Sequence, residues 1–247
     1  MASSVPLPPP LPLLSISFLP PTPLEAYQRT LPPSSPQSSI PPTFINAMKV
    51  REAVFVQEQG VPLEFEFDQN DSRSAHWVAY SDTIPIGTVR LVPFPHESHP
   101  ARGGVYVNDK LVGYMDGTAT ERGRQEGTGK EMGRDRATTF HDGSEPYVKI
   151  GRLAVVKEKR RSKVGAWLVS TALEWLRTHP DIFDHEGMRW NGLVCAHGQV
   201  QAVRAWERMG FQMDEDMGRW MEEGIEHVGM WIRLDIVDAA GARHRRQ

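Results

Sequence analysis

Cysteine is almost absent from this chain: its 247 residues contain one, Cys195. A lone thiol excludes an intrachain disulfide. No G-x-S-x-G turn occurs and no base is evident beside Cys195, so covalent nucleophilic catalysis is not expected. Cys195 lies in the apolar run Leu193 to Ala196, which reads as a strand, and a small buried hydrophobe is its expected role. Charge of one sign is lacking too: a net charge of −3 carries no bulk basic signature for nucleic acid. Long hydrophobic runs are missing. Leu11 to Leu19 is apolar but short, lacks a basic leader and is broken by Pro12 and Pro20, so it reads neither as a membrane span nor as a secretory leader. His96 and His99 share a Pro-rich loop, where solvated side chains are expected and a metal is not.

What remains is ordinary globular material, 39% hydrophobic and 24% charged. Residues 1–42 are rich in proline and serine, as in Pro8 to Pro10 and Pro32-Pro33, and are expected to be disordered or polyproline-like. A single folded domain is expected over 43–236, followed by a basic tail at 237–247. Within the domain a Gly-rich insertion runs from about 95 to 145, with little periodicity apart from Val105 to Val107. Residues 44–58 read as a helix, Trp77 to Tyr80 and Gly87 to Val92 as a hairpin, and Tyr147 to Val156 as a strand. Helix 163–177, strand 192–196, helix 199–209 and strand 228–235 follow. The alternation predicts an α/β fold with a mixed sheet.

One stretch carries a chemical signal. Leu153 to Val156 end an apolar strand, and Val164, Leu168, Ala172, Leu173 and Leu176 recur at helical spacing. Between them lie Lys157, Lys159, Arg160, Arg161 and Lys163. Basic residues are poor helix starters, because like charge opposes the helix dipole, whereas free N–H groups there favour an anion. A phosphate bound at this turn would offset the repulsion.

The turn resembles the acyl-CoA signature R/Q-x-x-G-x-G/A of the Gcn5-related N-acetyltransferase (GNAT) family, with Arg160, Lys163 and Gly165 on its fixed places; lysine stands where the first glycine is usual. Val194 to Phe211 resembles the family's later strand and helix ending in F-Y-E-K-x-G-F, with Gly210 and Phe211 at its end and Trp206 at the tyrosine's place. Glu222-Glu-Gly-Ile-Glu-His-Val-Gly-Met230 is similar to the ending of an ElaA-like subgroup. Val50 to Gln59, with Asp68, Asp71 and His76, is similar to that subgroup's opening.

The resemblance implies a GNAT-like mixed central sheet, flanked by helices and splayed between its fourth and fifth strands. It implies acetyl-CoA as co-substrate: Leu153, Ala154 and Val155 would hold pantetheine, and Arg160, Arg161, Ser162, Lys163, Val164, Gly165 and Ala166 the pyrophosphate, with Gln199 a further contact. The implied reaction is transfer of an acetyl group to an amine by direct attack in a ternary complex. His197 and Glu222 are candidates for proton transfer, and His76, Glu223 and His227 for substrate binding. Asp68 and Asp71, with Glu64 and Glu66, form an acidic stretch that either suits a cationic amine or is simply solvated. Tryptophan has no useful acid at the tyrosine's place, which keeps open a module that binds acetyl-CoA without turnover. A lactone synthase sharing the fold is disfavoured by the ElaA-like ending. A small-molecule or peptide amine acceptor, no nucleic acid or membrane, a homodimer, and a cytoplasmic location with nuclear access left open complete the expectations.

Overall fold

A computed structural model describes residues 13–28, 30–31, 37–118, 135–184, 187–237 and 243–244. In chain order its elements are β1 (Leu14–Leu19), α1 (Pro42–Arg51) continuing as a π-helical segment (Glu52–Glu58), α2 (Leu63–Glu66), β2 (Ala75–Ser81) and β3 (Ile84–Val92). There follow β4 (Gly104–Val107), β5 (Lys110–Tyr114), β6 (Val148–Val155), α3 (Val164–Thr178), β7 (Leu193–Gln199) and α4 (Val203–Arg208). The chain closes with β8 (Gln212–Met213), β9 (Arg219–Glu222), β10 (Ile225–Arg233), β11 (Ile236–Val237) and β12 (Arg243–His244). Ten strands form one mixed sheet in the order β1-β2-β3-β6-β7-β10-β9-β4-β5, with β8 paired to β10. The expected α/β class is correct. No helix among the described residues is long and apolar enough to cross a membrane.

Strand alternation puts helices on both faces. Ala75, Trp77 and Ala79 of β2 join the main core with Leu168, Ala172 and Leu176 of α3, whereas Val78 and Tyr80 pack with Ala47 of α1. Helix α3 sits close: a Cβ added at Gly87 would lie 2.9 Å from Leu168 Cδ1 and 3.0 Å from Val164 Cγ1. Glycine at that point of β3 therefore sets how low the start of α3 can rest on the sheet.

The opening in the sheet has a local cause. Thr88 pairs with Ala154 and Arg90 with Gly151, so Arg152 and Leu153 of β6 stand opposite Val89 alone. Such a bulge adds one residue and bends its strand. Arg152 takes up the bend at φ +49°. Parity flips across it: Val148 and Ile150 face the α3 core before the bulge, Leu153 and Val155 pack against that core after it, and Ala154 turns to Val50 and Val54. Parallel pairing of β6 with β7 stops at Ile150 and Ala196. Beyond those residues the strands part, leaving the β7-facing edge of β6 unpaired from Gly151 to Val155.

Two expectations about order need correction. Within the supposedly disordered 1–42, Leu14–Leu19 forms β1, antiparallel to β2, and Leu24, Tyr27 and Ile40 are buried. Pro20 bounds this strand rather than breaking it, at the sheet's edge where a missing N–H costs little, and Phe18 packs on Trp77 and Trp175 at 4.9 and 5.2 Å. Residues 1–12 and 32–36 lie outside the described residues. The 95–145 insertion also contains structure: β4 and β5 form a hairpin, and β4 adds in parallel to β9. Residues 119–134 lie outside the described residues. In the basic tail, Arg243–His244 pairs with Ile236–Val237.

Candidate active site

The parted strands open into a cleft of about 2660 Å³, lined by the π-helical segment, β6, the end of β7, Trp206, the β9–β10 turn and the insertion. Ordinary small-ligand pockets hold roughly 300–1,000 Å³, so this one has room for two substrates at once. One wall is the free edge of β6. Leu153, Ala154 and Val155 line it, and their outward backbone groups are those the opening leaves without strand partners.

At the mouth of this wall lies the basic turn. Arg161 and Lys163 both adopt left-handed backbone, at φ +65° and +66°, and Lys163 is the N-cap of α3. Alternation of this kind turns successive N–H groups to one side and forms an anion-binding concavity, beside the free N–H groups of Val164, Gly165 and Ala166. The usual glycine of the signature thus has a conformational reason, and Lys163 occupies its left-handed place at a cost of about 1–2 kcal/mol. Its side chain and those of Arg161 and Ser162 are exposed. Arg160 is not free: its Nη2 donates to Glu58 Oε2 at 2.7 Å and its Nε to the Val155 carbonyl at 3.1 Å.

The opposite wall carries titratable groups. His197 lies on β7 past the last β6 pair. Its Nδ1 donates to Glu222 Oε1 at 3.2 Å, and the Trp220 indole N–H donates to the same oxygen at 2.6 Å. Burial first, and then the nearby Lys149 ammonium, pulls the His197 pKa down to about 4. Burial would raise the Glu222 carboxyl, but its bond to His197 and the neighbouring imidazoles hold it well below the usual range. The pair is accordingly neutral imidazole on carboxylate. With Nδ1–H committed to an oxygen that can only accept, the lone pair is on Nε2. His227 Nε2 is 4.0 Å from Glu222 Oε2, and its Nδ1 donates to the Ile225 carbonyl at 2.8 Å. Glu223 also lines the cleft and accepts the Asn108 N–H at 2.6 Å.

Gln199 and Gln59 form a reciprocal amide pair, at 3.0 and 3.3 Å, from the end of β7 to the end of the π-helical segment. The sequence reading missed Gln59, and missed Trp220 and Tyr106 as cleft or dyad residues. The alternation of β9 gave no hint of Trp220, because a strand of four residues is too short to carry a period.

Several expected site residues lie elsewhere. His76 is buried and its Nε2 donates to the Asp71 carbonyl at 2.8 Å, outside the cleft lining. In the acidic stretch Glu64 is exposed, whereas Glu66, Asp68 and Asp71 are engaged by arginines rather than solvated. Arg51 pairs with Glu66 at 2.6 Å and Asp71 at 2.7 Å, Arg90 with Asp68 and Asp71 at 2.8 Å each, and Arg152 with Glu66 and Asp68 at 3.1 and 3.2 Å. Burial would raise the Asp71 carboxyl, but Arg51 and Arg90 hold it far below its usual range. The ElaA-like opening motif is thus a buried ionic cluster beneath the bulge. His99 is also buried, its ring against Tyr147 and Trp231, which corrects its expected solvation. His96 is half-buried, with Nε2 donating to the Tyr147 carbonyl at 2.9 Å. Cys195 is fully buried, and burial pushes its thiol up, so it is inert as expected.

Comparison with known proteins agrees with this geometry. The family model described as Acetyltransferase (GNAT) family matches residues 101–211. A candidate acetyltransferase of Bacillus subtilis strain 168 is 27% identical over 187 residues, which is 74% of this chain and 85% of the relative. The crystal structure of a candidate N-acetyltransferase from Lactobacillus plantarum is similar at 21% identity and a TM-score of 0.52, covering 90% of this chain and 98% of that one. Escherichia coli ElaA is similar at 18% identity and a TM-score of 0.49, covering 89% and 99%. The stretch similar to the acetyltransferase (GNAT) family, residues 101–211, thus spans the strand, turn and helix at the mouth of a sheet that parts between parallel strands, and the chain shares its fold with the Lactobacillus plantarum structure.

Proposed function

We propose that the protein transfers an acetyl group from acetyl-CoA to a small-molecule or peptide amine by direct attack in a ternary complex. The observation that carries this reading is the neutral His197, tied to Glu222 and facing the same cleft as the free edge of β6 and the basic turn. The pyrophosphate lies on the N–H groups of residues 161–166, and pantetheine bonds to the backbone of Leu153 to Val155. The thioester then points toward His197. As the amine nitrogen attacks the carbonyl carbon, its proton passes to His197 Nε2, and Glu222 stabilises the imidazolium that forms. The C–N bond closes, the C–S bond breaks, and the sulfur leaves as a thiolate that takes its proton from solvent. Trp206, buried beside the cleft and edge-on to Phe211 at 4.9 Å, shapes the pocket and supplies no proton.

Trp206 also supports the second reading, a module that binds acetyl-CoA and does not turn over. Thiol release from acetyl-CoA, measured with pooled peptides, polyamines and amino sugars, separates the two. The enzyme reading expects release with at least one pool, at a rate rising with pH as the amine loses its proton. Tight binding of acetyl-CoA without release, together with a gain of activity in Trp206→Tyr, would establish the binding module instead.

A further inference from the structure

The insertion brings together three side chains that the proposed acyl transfer does not use. His99 comes from its entering limb, and Asp135 and His141 from its returning limb. One ligand-type atom from each lies within 4.8 Å of the other two. The His99 side chain is fully buried, that of Asp135 is 10% exposed, and His141 is 3% exposed. We propose that these three residues form a binding site for a first-row transition-metal dication of the zinc type.

Hydrogen-bond counting leads there. His141 Nε2 lies 2.9 Å from the Glu145 carbonyl, which can only accept, so the proton is on Nε2 and the Nδ1 lone pair is free. That Nδ1 lies 3.1 Å from His99 Nε2, while the other His99 nitrogen, Nδ1, has no hydrogen-bond partner and lies 3.2 Å from Asp135 Oδ2. A neutral His99 has one proton for these two acceptors, so one of the two contacts is left as a meeting of lone pairs. Two buried lone pairs facing one another call for a positive centre between them. Two ligands at 2.0–2.1 Å from a tetrahedral zinc are about 3.3 Å apart, which is the spacing found.

The surroundings are those of a metal site. A carbonyl fixes the tautomer of His141, and the Asp135 oxygen is held by the His99 backbone N–H at 2.5 Å. Tyr147 and Trp231 enclose both rings: Trp231 stacks on His141 at 5.5 Å, and Tyr147 lies 5.6 Å from His99. Two imidazoles and one carboxylate suit zinc, cobalt or nickel rather than calcium or magnesium. His99 and Asp135 also line the cleft, which gives an ion a route from solvent. An ion here would staple the two limbs of the insertion, and so fix the wall that carries Tyr106 and Asn108.

Full-length protein stripped with a chelator and dialysed free of metal is titrated with zinc chloride by calorimetry, and separately with cobalt(II) while its visible spectrum is recorded. Expected are one equivalent of zinc, a tetrahedral cobalt spectrum, and a rise in the unfolding midpoint on adding zinc. Asp135→Asn and His141→Gln each weaken binding roughly tenfold or more, while His179→Ala, at an exposed histidine, leaves it unchanged. Absence of stoichiometric zinc binding by the wild type overturns the proposal. Undiminished binding in the Asp135→Asn/His141→Gln double variant overturns it as well. Should those variants fail to fold, the wild-type stoichiometry and cobalt spectrum decide alone.

Discussion

At the scale of single residues, the site rests on which proton each group holds. His197 is kept neutral by burial and oriented by Glu222, so His197→Ala is expected to lower kcat by about 10²–10⁴ while leaving acetyl-CoA affinity nearly unchanged. Stopped-flow turnover and calorimetry on the same preparation check it, and equal losses in both would mark a structural histidine. Because burial lowers the His197 pKa to about 4, its own titration is not expected in the neutral range, and under the proposed mechanism a rise of rate with pH is expected to report the acceptor amine. Lys163 invites a different test. Its left-handed backbone costs a non-glycine residue about 1–2 kcal/mol, so Lys163→Gly is expected to raise the unfolding midpoint by a few degrees, roughly 2–4 °C per kcal/mol in a chain of this size. It is also expected to bind acetyl-CoA at least as well. A loss of affinity would show that the ammonium reaches phosphate.

At the scale of elements, the cleft depends on β6 being bent and α3 being low. Gly87→Ala would press a methyl against Leu168 and Val164, with an expected cost of about 1–3 kcal/mol by overpacking and weaker acetyl-CoA binding as the turn at 160–166 is lifted. Denaturant unfolding and calorimetry measure the two effects. The bulge at Arg152 is held from below by the Arg51, Glu66, Asp68, Asp71 and Arg90 cluster. Asp71→Asn removes the charge that pairs with two buried guanidinium groups, and is expected to cost about 3–5 kcal/mol. A stability unchanged in urea would show that the cluster carries no strain of this kind. Helical and strand periods placed α3, β2, β3 and β10 within a few residues of their sequence-derived limits. They missed β1 and β5 and marked β4 only as Val105 to Val107, since short strands bounded or interrupted by proline and glycine carry too few periods to read.

Over the whole molecule, buried neutral histidines set the response to acid. Burial holds His76 and His197 to about 4, against an ordinary 6.5. Between those values the unfolded chain binds protons that the folded chain refuses, so stability falls as pH drops from about 6.5 to 4 and is fully present above that window. For the well-buried His76 the loss is on the order of 3 kcal/mol. Urea midpoints across this range are expected to fall with decreasing pH, and less steeply in His76→Gln if that variant folds. A flat profile would contradict the burial of both rings.

The sequence by itself determined the α/β class, the helix and hairpin limits around the core, and the basic turn from Arg160 to Ala166, because hydrophobic period and local backbone chemistry are properties of neighbours in the chain. It also reached His197 and Glu222, but only as two among several titratable residues. Tertiary structure decided that these two meet at 3.2 Å, that His76 does not join them, and that Asp68 and Asp71 are consumed by arginines. It decided too that His99 is buried beside Asp135 and His141. Such pairings join residues about 20 to 40 positions apart. Their distance depends on strand order and on one extra residue in β6, and no local pattern records either.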